Sequence, residues 1–262
     1  MSRQNFYKEH RKRQKLEVDE DYIEQLVRIE RAKQSRLGGR KLHVLLKKTM
    51  AGEGIRIGRD RFFEVLRNRS LLVPPLPRSS RTTNSRHSLP VFRNLVKDHS
   101  LTGPNEAWAA DLTYLRTDEG YLYLSLITDM HSRKIVGFHA GDTLEAEGCL
   151  RSLKMAVKHL PSNKRPIHHS DRGSQYCSHL YAGFAMEHGL TLSMTEVSHC
   201  YENALAERVN GILKQEYWLG GTFKTKQQAR RCVAEAVLLY NTCRPHQSLG
   251  YKIPDEVHRQ IA

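Results

Sequence analysis

Nowhere among the 262 residues do some eighteen apolar side chains follow one another, so no segment reads as a membrane span. Residues 1–16 are basic and polar and lack the apolar stretch of a secretory signal, which makes the cytoplasm the expected location. Cysteine is scarce and scattered: Cys149, Cys177, Cys200, Cys232 and Cys243 form no Cys-x-x-Cys pair. A zinc site and a disulfide framework are therefore not expected, and free thiols in a reducing cell are. Acidic residues are also short, but only locally. Residues 1–100 hold 24 Lys and Arg against 11 Asp and Glu, while the remaining 162 hold 18 against 17. Nearly all of the +14 net charge thus sits in the first hundred residues. A basic arm ahead of a near-neutral domain is suited to a polyanion, because Lys and Arg that neutralise phosphates release counterions.

The hydrophobic share of 39% is enough for a folded core, and the length suits one large domain with a small one. Residues 1–18 read as a basic, flexible terminus. Residues 19–72 read as three helices, over 19–35, 40–49 and 59–68, with a Gly-containing turn at 51–58 between the last two. That is a helix-turn-helix type of domain, and Arg59, Arg61 and Arg67 on the outer side of its last helix are candidate DNA contacts. Residues 73–104 read as a linker, with four prolines between 73 and 90 among Ser, Thr, Asn and Arg.

From residue 105 the texture changes. Residues 108–115, 120–129 and 134–139 read as an antiparallel meander, 143–160 as an amphipathic helix and 166–170 as a short strand. Helix over 174–188, strand over 190–194, and helices over 202–217 and 224–240 follow. The expected class is α/β: a mixed sheet with flanking helices behind a small all-α domain.

Three acids stand at suggestive places in this pattern. Asp111 lies inside the first strand, Asp171 at the carboxyl end of the fourth, and Glu207 within a helix. Ligands gather outside strand ends, and phosphodiester chemistry uses carboxylates to hold divalent ions about 3.5–4 Å apart. Singly, each acid would be read as a turn, pairing or solvated residue.

Taken together, Trp108-Ala-Ala-Asp111-Leu-Thr-Tyr114, His169-Ser-Asp171-Arg-Gly173-Ser-Gln-Tyr176 and Asn203-Ala-Leu-Ala-Glu207 resemble the retroviral-integrase-like DDE transposases of bacterial insertion sequences. The likeness is to the larger, downstream product of elements with two overlapping reading frames. In that group 35 residues separate the last two acids and a basic residue lies seven after the Glu; here 35 residues separate Asp171 from Glu207, and Lys214 is seven beyond it. Seven residues are two helical turns, so Lys214 and Glu207 share a face. Gly39-Arg-Lys-Leu42 and the tail Tyr240-Asn241…Arg244-Pro-His246…Leu249-Gly-Tyr251 are similar too. One departure is Glu202, where the group has Asp. It is a rival third carboxylate, but its spacing from Asp171 would be 30 and position 209 is Val.

The resemblance implies a ribonuclease-H-like catalytic core over residues 105–262, with Asp111, Asp171 and Glu207 as catalytic residues and ligands of Mg²⁺ or Mn²⁺, two ions in all. It implies nicking at element ends and strand transfer by the freed 3′-hydroxyl. Lys214, Arg244 and His246 become candidate DNA contacts, and His169 and Asn203 supporting residues. Asp129 reads as structural first. The implied partners are DNA, further copies of the chain during synapsis, and the upstream reading-frame protein, fused or separate, in a bacterial cytoplasm at the nucleoid. Two other functions stay open: a non-catalytic DNA-binding relative, and a structure-selective nuclease on the same fold.

Overall fold

A computed structural model describes residues 3–74, 89–97, 99–196 and 203–259. The chain divides into two units, Met1–Leu76 and Pro77–Ala262. Most of the Pro-rich stretch read as a linker, and the rival Glu202, lie outside the described residues.

The first unit is three helices, α1 (Arg3–Lys33), α2 (Gly39–Gly52) and α3 (Arg59–Asn68). Ile23 and Val27 of α1, Leu42, Leu46 and Met50 of α2, and Phe62, Val65 and Leu66 of α3 form one buried cluster. Gly39 opens α2 against α3; a Cβ there would stand 2.9 Å from the Phe63 ring and 3.0 Å from Leu66. Arg61 of α3 and Arg69, which caps it, tie back to Glu20 of α1. Helix α1 starts at Arg3, not at Asp19, so residues 3–18 are a correction to the flexible terminus. They hold no Gly or Pro and are rich in Arg, Lys, Gln and Glu, good helix formers, and residues 3–10 and 14–18 are exposed.

The second unit holds a six-stranded sheet. Strands β1 (Ala107–Thr117), β2 (Gly120–Asp129) and β3 (Ile135–Gly141) form the expected meander. After α4 (Ala146–Lys158), β4 (Ile167–Ser170) returns parallel to β1, and β5 (Thr191–Met194) lies parallel to β4, in the order β3-β2-β1-β4-β5. Between them run α5 (Ser174–Cys177) and α6 (His179–Glu187). The sequence suggested one helix here. Ser178 breaks it by taking an extended backbone and accepting the Tyr181 N–H as the N-cap of α6. Then come α7 (Ala204–Glu216), a two-residue strand β6 (Thr222–Phe223), α8 (Lys226–Thr242) and α9 (Pro254–Arg259). β6 and α9 had no sequence signal strong enough to be read.

β1 is the centre. Its opening residues, Ala107 to Ala110, are buried on both faces, as befits an inner strand. One face packs on α4 and α6 through Trp108, Ala110, Ile127, Leu153 and Tyr181. The other packs on α7 and α8 through Leu115, Leu122, Leu126, Val209, Ile212 and Val237. β2 pairs with β1 along its whole length. On its other edge β1 meets β4 only over Ala107–Ala109 and β6 only over Arg116–Thr117. Among the described residues no strand pairs with that edge in between, and the sheet is split there. No described helix is long and apolar enough to cross a membrane.

Gly137 on β3 lies against α4: a Cβ would sit 2.2 Å from the Ser152 carbonyl oxygen, which is backbone and cannot yield. Gly137→Ala should therefore lower stability in urea unfolding by about 3 kcal/mol. Gly183→Ala, exposed in α6 with nothing within 4 Å, should raise it by roughly 0.5–1 kcal/mol. Equal effects at the two sites would show that the close approach of α4 to β3 does not set this packing.

Candidate active site

Alternation along β1 puts Asp111, Thr113 and Leu115 on the face that α7 covers. The Asp111 carboxylate accepts a hydrogen bond from Asn210 Nδ2 at 2.7 Å and another from the Leu112 N–H at 2.9 Å. β4 aligns His169 with Ala109, so two residues further on Asp171 comes beside Asp111, where the β1–β4 ladder has just ended. Asp171 Oδ1 accepts the Gly173 N–H at 3.0 Å. A Cβ on Gly173 would meet that same oxygen at 3.0 Å, which explains the Asp-Arg-Gly sequence: the loop folds back tightly on its own carboxylate.

The Asp111 carboxyl is pushed up to about 7, first by burial, then by repulsion from Asp171 and, more weakly, from Glu207; the Asn210 and Leu112 donors oppose this. Glu207 is exposed on the first turn of α7. The structure thus sets Asp111 and Asp171 together and leaves Glu207 within electrostatic reach rather than in a closed cage. Among the described residues no three His, Cys, Asp or Glu side chains already stand at metal-ligand spacing.

Helix α7 borders the split in the sheet. Buried Asn203 donates to the Ala110 carbonyl at 3.0 Å and so pins the start of α7 to β1. Lys214 Nζ donates to Thr113 Oγ1 at 2.5 Å and lies 5.1 Å from the Tyr114 ring centre. Burial lowers its pKa, with Tyr114 and Asp111 favouring the charge and Arg116 opposing it. Two residues here escaped the sequence reading, Asn210 and Thr113. Asn210 lies one helical turn beyond Glu207 and four residues before Lys214, so the helical period could have found it. Thr113, two after Asp111, shares that residue's face of the strand.

His169 is fully buried in β4, with Nδ1 2.9 Å from Ser193 Oγ, while His168 turns the other way, to Tyr181 at 2.6 Å. Burial and its neighbour His169 hold His168 down at about 3, so it is neutral. Arg244 is a correction. It is 2% exposed, and its Nε and Nη2 bind both carboxylate oxygens of Glu216 at 2.8 and 2.9 Å. A guanidinium committed in this way is an internal clamp on the last residue of α7 rather than a phosphate contact. His246 faces Ser248 at 2.9 Å and organises the turn to Lys252. Asp129 is fully buried and accepts from the Asn105 and Ser132 N–H groups and the Ser132 hydroxyl, all at 2.7 Å, a structural role. The tail residues Tyr240 and Asn241 hold the same turn, at Arg133 and Ile135.

In the first unit, Arg40, Arg59, Arg61 and Arg67 line an open cavity of about 610 Å³ with Asp60, Phe63 and Glu64. Arg59 pairs with Asp60, and Arg61 with Glu20 and Glu64. Arg40 and Arg67 are exposed.

Comparison with known proteins yields three findings. Two models of an integrase core domain match residues 102–200 and 188–254. The chain is 37% identical over 207 residues to an uncharacterized 31 kDa protein of insertion element IS600 from Shigella sonnei, covering 78% of this chain and 76% of that one. It is 35% identical over 193 residues to transposase InsF of insertion sequence IS3A from Escherichia coli, covering 73% and 67%. Among solved structures, the simian T-cell lymphotropic virus intasome in complex with a PP2A regulatory subunit gives a TM-score of 0.53 at 17% identity, over 86% of this chain and 76% of that one. The second unit has the ribonuclease-H-like fold of an integrase core.

A carboxyl at about 7 in the folded protein and about 3.9 when unfolded has a definite signature. Above pH 4 the unfolded chain loses this proton first, so folding stability falls as pH rises and the loss is complete above about pH 7. Asp111→Asn removes the burden. Without divalent ions, thermal unfolding should show the variant equal to wild type near pH 4 and about 1–3 kcal/mol more stable at pH 8. No pH dependence in that difference would mean that burial and Asp171 do not raise the Asp111 pKa.

Proposed function

The chain belongs to the insertion-sequence DNA transposases that carry an integrase core, and from that premise we propose that Asp111, Asp171 and Glu207 are the carboxylates through which it cuts and joins DNA. It is a polynucleotidyl transferase. The observation that carries the site assignment is the pairing of Asp111 with Asp171 at the split beside β1, with the Asp111 proton held near neutrality. Two repelling carboxylates in a half-buried site suit a dication, because its charge removes the repulsion that raises the pKa. Oxygen donors of this kind select Mg²⁺ or Mn²⁺.

In this reading Asp111 and Asp171 hold the ions, and Glu207 completes the set from α7 when DNA is bound. The ions supply Lewis acidity for the attacking and leaving oxygens of an in-line displacement. The protein does the rest. Asn210 fixes the rotamer of Asp111, and Lys214, steadied by Thr113, offers a cation to a phosphate oxygen at the split. In the first step a water oxygen bonds to phosphorus, the P–O3′ bond breaks and the released 3′-oxygen takes up a proton. In the second that 3′-hydroxyl oxygen bonds to the phosphorus of another strand and gives up its proton, that strand's own P–O3′ bond breaks, and the released 3′-oxygen takes up a proton.

Arg67 and Arg40 hold phosphates of the element end, and Arg59 and Arg61 join them by exchanging their acidic partners for DNA. His246 is kept as a contact at the edge of the same unit as the carboxylates. Further copies of the chain bring two element ends together, and the upstream reading-frame product assists, fused or separate, at the nucleoid. A DNA-binding relative without chemistry has one observation on its side, the exposed position of Glu207.

Labelled duplex bearing the element ends decides between these readings. Wild type with Mg²⁺ should give nicked and joined products that EDTA abolishes. Asp111→Asn, Asp171→Asn and Glu207→Gln should each lose about a thousandfold or more of cleavage while still binding DNA. Cleavage that survives in any one of them removes that residue from the site, nicking without joining favours the nuclease, and binding without chemistry favours the repressor-like relative. Arg67→Ala and Arg40→Ala should each flatten the plot of log affinity against log salt by about 0.9. An unchanged slope would take the first unit's cavity out of DNA binding.

A further inference from the structure

The turn between β2 and β3 holds an arginine that the fold itself does not use. Residues 129–134 close on themselves: the Arg133 N–H donates to the Asp129 carbonyl at 2.9 Å, and the Asp129 N–H to the Lys134 carbonyl at 2.8 Å. The closure puts Arg133 at a φ of +64°, in the left-handed region that favours glycine. Nothing within the unit repays its side chain for that strain. The guanidinium is half-buried, yet among the described residues it makes no hydrogen bond or ion pair. Burial lowers its pKa, while the Tyr240 phenol and then Asp129 favour the charge. The Asp129 oxygens are already taken by Asn105 and Ser132. Neighbouring Lys134, by contrast, is paired with Asp255. A half-desolvated cation on a strained backbone marks a place where an anion binds from outside.

The turn stands at the face that α7 and α8 cover. Tyr240, part of the apolar cluster on that face, donates its hydroxyl to the Arg133 carbonyl at 3.0 Å. Asp111 is on this same face of β1. Asp129 pairs with Trp108, and Asp111 lies three residues further along, about 10 Å. A second guanidinium comes from α7. Arg208 follows Glu207, is exposed, and is bound to no acid among the described residues. Burial raises the Tyr240 phenol, and Arg244, Arg133 and, more weakly, Arg208 oppose this, so all three cations bear on one buried ring. Of the three, Arg244 has its carboxylate in Glu216. The position selects the anion for the other two. Arg208 stands next to Glu207, and the molecule that reaches Glu207 is a DNA strand. A planar, permanently charged guanidinium fits a phosphodiester.

We propose that Arg133 and Arg208 together hold one phosphate of the DNA strand that lies beside Glu207. They bind rather than catalyse, and fix where the strand runs relative to α7. This rests on the transposase reading for DNA being the substrate.

Glycine takes a φ of +64° without strain, so Arg133→Gly removes the guanidinium and relieves the turn in one step. The test uses the full chain without divalent metal, with fluorescence anisotropy of a labelled duplex carrying the element end, followed across a salt series. Arg133→Gly should melt at or above the wild-type temperature and bind the duplex about tenfold more weakly. Arg208→Ala should show a similar loss of binding. The double variant should flatten the plot of log affinity against log salt by about 0.9, one phosphate, where two separate contacts would take about 1.8. A glycine variant that melts below wild type makes Arg133 a structural residue and overturns the proposal. Wild-type affinity in either single variant overturns it too, as does a slope change of about 1.8 in the double variant. If wild type still gave metal-dependent cleavage in those cases, the transposase reading would stand alone. A wild type that neither bound nor cut the duplex would sink both.

Discussion

Burial of Asp111, with Asp171 close enough to add to the cost of its charge, is the constraint that the second unit has to meet. Two neighbouring carboxylates with burial against them do not come together spontaneously, so the backbone has to hold them there. β1 does this by being an inner strand of the sheet, covered on both faces over Ala107–Ala110 before it reaches Asp111. β4 is registered against that same buried stretch and ends immediately afterwards. Each carboxylate is thus carried on a strand whose position is fixed by apolar packing a few residues upstream, and the electrostatic cost is offset by that core. The split in the sheet follows from the same constraint. If β4 continued along β1 past Ala109, its ladder would close the gap beside Asp111 and Asp171.

Much of this was legible in the sequence, and the limits have physical causes. Strand alternation exposed the β1–β2–β3 meander, and Asp171 was recognisable as a strand-end acid because a short apolar run stops just before it. Helix α3 was read over residues 59–68, the span it occupies, because its apolar positions have a clean 3.6-residue period and glycine stands at Gly58. The start of α1 was missed because residues 3–10 and 14–18 are exposed, and periodicity reports only burial. The break at Ser178 was missed because a serine inside an apolar period looks like an exposed helical position until its side chain is seen to cap the next turn. β6 is two residues long, below any pattern. Asn210 and Arg244 were out of reach for a different reason. Their partners, Asp111 and Glu216, lie 99 and 28 residues away in sequence, so only the assembled fold decides what they touch.

Helix α7 concentrates the site's remaining requirements. Glu207, Asn210 and Lys214 recur at helical spacing; Asn210 addresses the Asp111 carboxylate and Lys214 the Thr113 hydroxyl, while Glu207 is exposed. One rigid helix therefore sets both distances at once, and a displacement of α7 would spoil them together. This gives the buried Arg244 its significance. By gripping both oxygens of Glu216, it fixes the carboxyl end of α7, while Asn203 fixes the other end on Ala110. A buried ion pair contributes little net stability against an apolar pair of the same shape, yet breaking one side of it costs about 3–5 kcal/mol. Its effect here is positional. Arg244, remote from the carboxylates in sequence and buried, holds still the helix that carries Glu207 and Lys214.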